Sequence, residues 1–91
     1  MATNPTTEIT MPGAIARAVA RATTGFLAAR EGDIHRFEVI VTTDADTCEV
    51  AFVPEPDSGA TPRGGRTSAG REMHFRVSIA DGELLQTSFA R

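Results

Sequence analysis

Cys48, His35 and His74 are the residues of this chain with the chemistry for nucleophilic catalysis, because a thiol beside an imidazole can be deprotonated and attack. Their placement argues against such a pair. Cys48 opens an alternating apolar run on its core-facing side, and His35 stands at the start of the run before it. If Thr43 pairs with Cys48 across a hairpin, His35 lies at the far end, roughly 25 Å away at about 3.3 Å per residue. His74 falls on the opposite face from Met73, Phe75, Val77 and Ile79. The pattern predicts a buried, inert Cys48, the common fate of a free cysteine.

The carboxylates are the second set with potential chemistry. Asp44, Asp46 and Glu49 gather near one turn, with Thr43 and Thr47 beside them. A calcium loop would add a glycine at the sharp bend and a terminal bidentate glutamate, and neither is present at the required spacing. An ordinary solvated turn is the expectation. Glu38 and Glu49 share a strand face with Arg36 and Arg76, which predicts cross-strand charge partners. General acid–base work would need a pocket that raises one carboxyl pKa. Gly64-Gly65 lacks both the lysine and the strand-to-helix setting of a phosphate loop. The chain is therefore expected to be non-enzymatic and to hold no metal and no cofactor.

The segment from Pro54 to Arg71, PEPDSGATPRGGRTSAGR, has no large apolar residue and sorts its charge. Glu55 and Asp57 come first, then Arg63, Arg66 and Arg71. Such a composition cannot bury enough apolar surface to offset its ordering entropy, so a mobile loop over 55–71 is predicted, narrowing to Asp57 through Gly70 if Arg36 faces Glu55. Arginines in a loop could grip phosphate by counterion release and stacking. A single Arg-Gly-Gly-Arg and a net charge of −3 argue against nucleic acid as a partner.

The elements that position these residues follow from periodicity. Ile15, Val19, Ala22, Phe26 and Ala29 step at helical spacing, predicting a helix from about Met11 to Arg30. Thr10 is the expected N-cap, Pro12 lies in the first turn, and Gly32 is the expected left-handed C-cap. Its small residues suit a close approach to a sheet. From Asp33 the period becomes 2. Phe37, Val39 and Val41 oppose Phe52 and Val50 on one face, while Ile40 opposes Ala51 and Glu38 opposes Val53 on the other. After the loop, Met73 to Ile79 alternate again. A three-residue turn at Ala80-Asp81-Gly82, with Gly82 left-handed in a bulge, pairs Val77 with Leu85 and Met73 with Phe89.

The order is helix, strand, strand, long loop, strand, strand. It predicts an α+β two-layer domain, one N-terminal amphipathic helix on a four-stranded antiparallel meander over residues 10–91, after a flexible tail at 1–9. This element order resembles cystatin-like folds and the PepSY modules. The Gln-x-Val-x-Gly hairpin loop of cystatins is replaced here by Thr43-Asp44-Ala45-Asp46-Thr47, so the resemblance implies layering and not protease inhibition.

Composition bounds the rest. Ninety-one residues make one small domain, and 41% hydrophobic residues support a folded core. With no Trp or Tyr, an aromatic binding platform is not expected. All nine basic residues are Arg, which reads as the codon bias of a GC-rich, bacterial-type genome. Cys48 is the only cysteine, which fits a reducing compartment. No signal-peptide pattern and no run of roughly 18 apolar residues appears, so a cytoplasmic protein away from membranes is expected. Ile34, Ile40, Ala51, Val53 and Leu84 are predicted to point away from the helix, among Arg36, Glu38, Arg76 and Gln86. The function expected is a small interaction module that binds a protein partner or forms a homodimer. Ile40, Val53, Arg76 and Leu84 on the outer sheet face, a sheet edge, and Arg63 and Arg66 in the loop would make the contacts. The alternative is a small-ligand binder or minor enzyme, with a pocket between helix and sheet beside Ala22, Gly25 and Ala29.

Overall fold

The computed structural model describes residues 6–56 and 66–89. Helix α1 spans Gly13–Ala29. A single 3-10 turn at Ile34–Arg36 leads into β1, Phe37–Thr43, and β2, Thr47–Pro54. A short hairpin follows, β3 at Arg66–Thr67 and β4 at Gly70–Arg71. Strands β5, Met73–Ser78, and β6, Leu84–Phe89, complete the chain. The main sheet has four antiparallel strands in the order β1-β2-β5-β6, and α1 lies across β2 and β5. This is the α+β two-layer arrangement that the periodicity predicts.

The helix ends differ from expectation. Thr10 does not cap; its hydroxyl donates to Glu8 Oε2 at 3.4 Å, and Pro12 precedes the first turn without a side-chain cap. Pro12 supplies a carbonyl that accepts from the Ile15 and Ala16 N–H groups. At the other end Arg30, not Gly32, takes the left-handed conformation, with φ 56°. Gly32 is kept small for another reason. A Cβ there would run into the Ala69 carbonyl oxygen, because Gly32 bridges to Gly70 of β4.

The core is formed by Ile15, Ala18, Ala22 and Phe26 of α1 against Cys48, Val50 and Phe52 of β2 and Met73, Phe75 and Val77 of β5. Phe26 stacks on Phe52 at 4.5 Å and meets Phe37 edge-on, while Phe52 meets Phe75 edge-on. Each such pair adds about 0.5–1.5 kcal/mol beyond area burial. Ala29 of the predicted stripe is exposed, and Ala18 takes its place inside. At Gly25 an added Cβ would sit 2.7 Å from Phe75 Cε2. The space anticipated between helix and sheet is filled there by the Phe75 ring.

The β1–β2 register is the expected one, from Thr43 opposite Cys48 to Glu38 opposite Val53. The β5–β6 register is the expected one from Met73 opposite Phe89 to Arg76 opposite Gln86, but at the turn end Val77 faces Leu84 instead of Leu85, which becomes the extra residue of a bulge. Leu84 therefore packs against the core instead of pointing away from α1. Gly82 is left-handed, φ 75°, as the turn requires, and the Arg17 guanidinium caps the turn by donating to the Ile79 and Ala80 carbonyls at 3.0 Å.

The 55–71 segment also departs from expectation at its C-terminal end. Ala69 and Gly70 are buried, and the Thr67 hydroxyl donates to the Glu55 carbonyl at 2.7 Å. Residues 66–71 are thus docked on the domain through the close approach of Gly32 and Gly70. Residues 57–65, including Arg63, lie outside the described residues. No helix among the described residues is long and apolar enough to cross a membrane.

The two layers differ in width. A helix with its side chains is about 10 Å across, whereas four strands at about 4.8 Å spacing make a wider layer. α1 covers β2 and β5, and of the edge strands' inner faces Phe37 and Leu84 reach the core while the middle of β1 stays open. Val39 and Val41 of β1 share the face of the buried Val50 and Phe52, yet both are exposed.

Candidate functional site

The residues singled out from the sequence do not converge. Ile40 is exposed on the outer face of β1. Val53 is half-buried opposite Glu38, and Arg76 is exposed on β5, opposite Glu49 and Gln86. Leu84 lies on the other side of the sheet, and Ile34 also packs on the core. Ala51 is buried between Ile40 and His74 in the register. The outer apolar patch therefore reduces to Ile40, with Val53 partly accessible beside it. Arg66 opens β3 opposite Arg71, and Arg63 falls outside the described residues.

Cys48 and His35 stand at opposite ends of the first hairpin. Cys48 is fully buried at one end of the β1–β2 hairpin, and burial pushes its thiol pKa up. His35 is exposed at the other end. Around the first turn, Asp44 Oδ1 accepts from the Ala45 N–H at 2.7 Å, and the Asp46 carbonyl accepts from the Ile79 N–H at 3.0 Å. Among the described residues no group of three or more His, Cys, Asp or Glu is placed to hold a metal.

A titratable cluster does form, joining His74 and Glu49, which the sequence reading treats separately, to Glu72, which it does not single out. His74 sits between two carboxylates, Nε2 2.6 Å from Glu72 Oε2 and Nδ1 3.2 Å from Glu49 Oε2. Glu72 is buried at 9% exposure. Burial works against the imidazolium, but the hydrogen bonds and charges of Glu72 and Glu49 outweigh it and raise the His74 pKa. Both ring nitrogens are engaged, so neither is available to take a proton from a substrate. The cluster acts as a clamp from β2 to β5. Its signal was the two-residue spacing of Glu72 and His74, which puts both on one strand face. Glu49 joins diagonally only through the β2–β5 register.

Two features remain open to another molecule. The first is a cleft of about 550 Å³ at the end of the β1–β2 hairpin, lined by His35, Arg36, Glu38, Val53, Glu55 and Pro56 among others. Arg36 already holds Glu55 at 2.6 Å across it, as the register predicted. The second is the side of β1 away from β2, which pairs with no other strand among the described residues. Val39, Ile40 and Val41 are consecutive, apolar and 43%, 51% and 36% exposed. β1 pairs with β2 through seven unbroken positions and carries one charge, Glu38. The opposite edge is different. β6 is bulged at Leu85, and the Arg71 guanidinium lies 3.9 Å over the Phe89 ring. Bulges and charges are devices that blunt an edge against pairing, and β1 has almost none of them.

No protein-family model matches this chain, and no curated protein or solved structure is significantly similar to it.

Proposed function

We propose that this chain is a non-enzymatic interaction module that docks a protein partner along the free edge of β1. The observation that carries this reading is the run Val39-Ile40-Val41, exposed on both sheet faces of an unbulged edge strand. An added strand would satisfy the outward backbone groups and cover the valines that α1 is too narrow to reach. Relative to the sequence expectation, the weight moves from the outer face and the 55–71 loop to the edge itself. The lone buried cysteine fits a reducing, cytoplasmic setting for such a module.

The test is the native mass of the protein purified from its source cells, beside a Val41→Pro variant. Proline on the solvent side of an edge strand removes one outward N–H and leaves the inner ladder in place. A mass above the 9.7 kDa chain, lost in the variant, supports the reading. A single-chain mass for the unaltered protein overturns it.

The cleft beside Arg36 supports a second reading, a small-ligand binder, since its volume falls within the range of about 300–1,000 Å³ usual for ligand sites. A metabolite that raises the melting temperature in the unaltered protein but not in Arg36→Ala would favour it. No shift with any metabolite at saturation would remove it.

A further inference from the structure

We infer that the partner on β1 is a second copy of this chain, joined by antiparallel β1–β1 pairing about a two-fold axis at Ile40. This rests on the reading of β1 as a docking edge and names its occupant. Bond direction decides which residues are available. The Glu55 N–H donates to the Arg36 carbonyl at 2.9 Å, and the Asp44 N–H donates to the Thr47 carbonyl at 2.8 Å. In an antiparallel ladder the residues that bond a given neighbour alternate along the strand. Glu38, Ile40 and Thr42 thus turn their backbone groups to β2. Phe37, Val39, Val41 and Thr43 turn theirs to the open edge.

A second β1, run antiparallel with its Thr43 opposite Phe37, brings those outward residues into bonded pairs. Val39 then faces Val41 of the second copy on the inner side, and the two copies' valines close over one another beside the helices. On the outer side Ile40 faces Ile40, and Glu38 faces Thr42. No like charges meet, and a hydroxyl lies opposite each carboxylate. Moving the axis to Val39 would set Ile40 against Glu38, and moving it to Val41 would set Ile40 against Thr42. Either shift also leaves end residues unpaired. The midpoint of the strand is therefore also its best chemical match to itself. β6 does not offer this match, because its bulge breaks the ladder.

The size of the contact sets its strength. Seven residues at about 3.3 Å each give a seam roughly 23 Å long. With side chains on both faces the total buried area is on the order of 1,000 Å², the lower bound of specific interfaces. A concentration-dependent monomer–dimer equilibrium is expected, not an obligate dimer.

Sedimentation velocity on the purified full chain tests this over a wide concentration range. The unaltered protein should pass from one-chain to two-chain mass. Ile40→Asp and Ile40→Arg should each weaken pairing about a hundredfold or more, because each sets like charges against one another at the axis. Mixed in equal amounts, the two variants should regain the two-chain mass, which only a residue facing its own copy can produce. Circular dichroism and Val41→Pro guard against misfolding as the cause. A dimer that survives Ile40→Asp, or a mixture that stays single-chain, overturns the axis. An unaltered protein that stays single-chain throughout overturns self-pairing. In that case a larger native mass from source cells leaves the docking reading standing, and a single-chain native mass removes both.

Discussion

Replacing Gly25 with alanine sets two known effects against each other. Gly25 lies inside α1, where alanine is normally the better residue by about 1 kcal/mol. Here the new methyl would meet the Phe75 ring at 2.7 Å, and that ring is buried in contact with Phe52. Such a ring cannot swing aside as an exposed side chain would. Forcing a methyl into a well-packed core costs about 1–3 kcal/mol. The strain offsets the helical gain, and the net change should be a destabilisation of about 0–2 kcal/mol. For a domain of this size 1 kcal/mol moves Tm by about 4–8 °C. Calorimetry on Gly25→Ala should therefore show a lower Tm than the parent, by several degrees at the centre of that range. Thr24→Ala is the control, since Thr24 is exposed one residue away and gives up only a back-bond from its hydroxyl to the Ala20 carbonyl at 3.1 Å, with no buried ring in the way. If Gly25→Ala melts above the parent, Phe75 has room to move. The helix–sheet interface would then not be filled at Gly25, and a ligand pocket there would again be open.

Two further outcomes concern titration and burial. His74 has a raised pKa in the fold, so the stability it contributes is fully present below its unfolded value of about 6.5 and is lost as pH rises through the folded value. The urea midpoint should fall across that interval in the parent and stay level there in His74→Gln; the same fall in both would exclude the Glu72–His74–Glu49 clamp as its source. Cys48 is fully buried with its thiol pKa raised, so a thiol reagent should label it no faster than the protein unfolds. Rapid stoichiometric labelling of the native protein would contradict its place in the core.

The parts of the fold legible in the sequence are those specified by two constraints at once. The β1–β2 register is legible because a one-residue slip would put Val41 and Val50 on opposite faces and break the Arg36–Glu55 pairing together. Strand β6 offered only one constraint. Its two adjacent leucines allow either to face Val77, and the bulge that chooses Leu84 is set by the Gly82 turn and by packing on the core. The ends of α1 differ from the sequence expectation for a related reason. Gly32 looked like a helix stop, but its lack of a side chain serves contact with Ala69 and Gly70, which lie far along the chain. The Glu72–His74–Glu49 clamp needs the register of β2 on β5, which no tight turn sets because the 55–71 segment separates the two strands. The open inner flank of β1 was hidden as well. Val39 and Val41 alternate as core residues do, and only the width of one helix against four strands decides that they are not covered.

That same geometry separates folding from association. The ladder from β1 to β2 uses the backbone of Glu38, Ile40 and Thr42, not their side chains, and the outward groups of Val39 and Val41 take no part in it. Ile40 is 51% exposed and Val41 36% exposed in the single chain, so polar replacements there forfeit less transfer free energy than at the wholly buried Val50 and Phe52. A charge at residue 40 thus acts on whatever meets the edge before it acts on the core. The opposite holds for β2 and β5, where Val50, Phe52, Phe75 and Val77 are wholly enclosed and a change in side chain is a change in stability. Loss of association without loss of fold should therefore map to Val39, Ile40 and Val41 of β1, and loss of both together to the two central strands and to Phe37, which meets Phe26. A substitution at residue 39, 40 or 41 that unfolds the isolated chain as severely as Phe52→Ala, about 3–5 kcal/mol, would break that separation and with it the reasoning that assigns the edge to a partner.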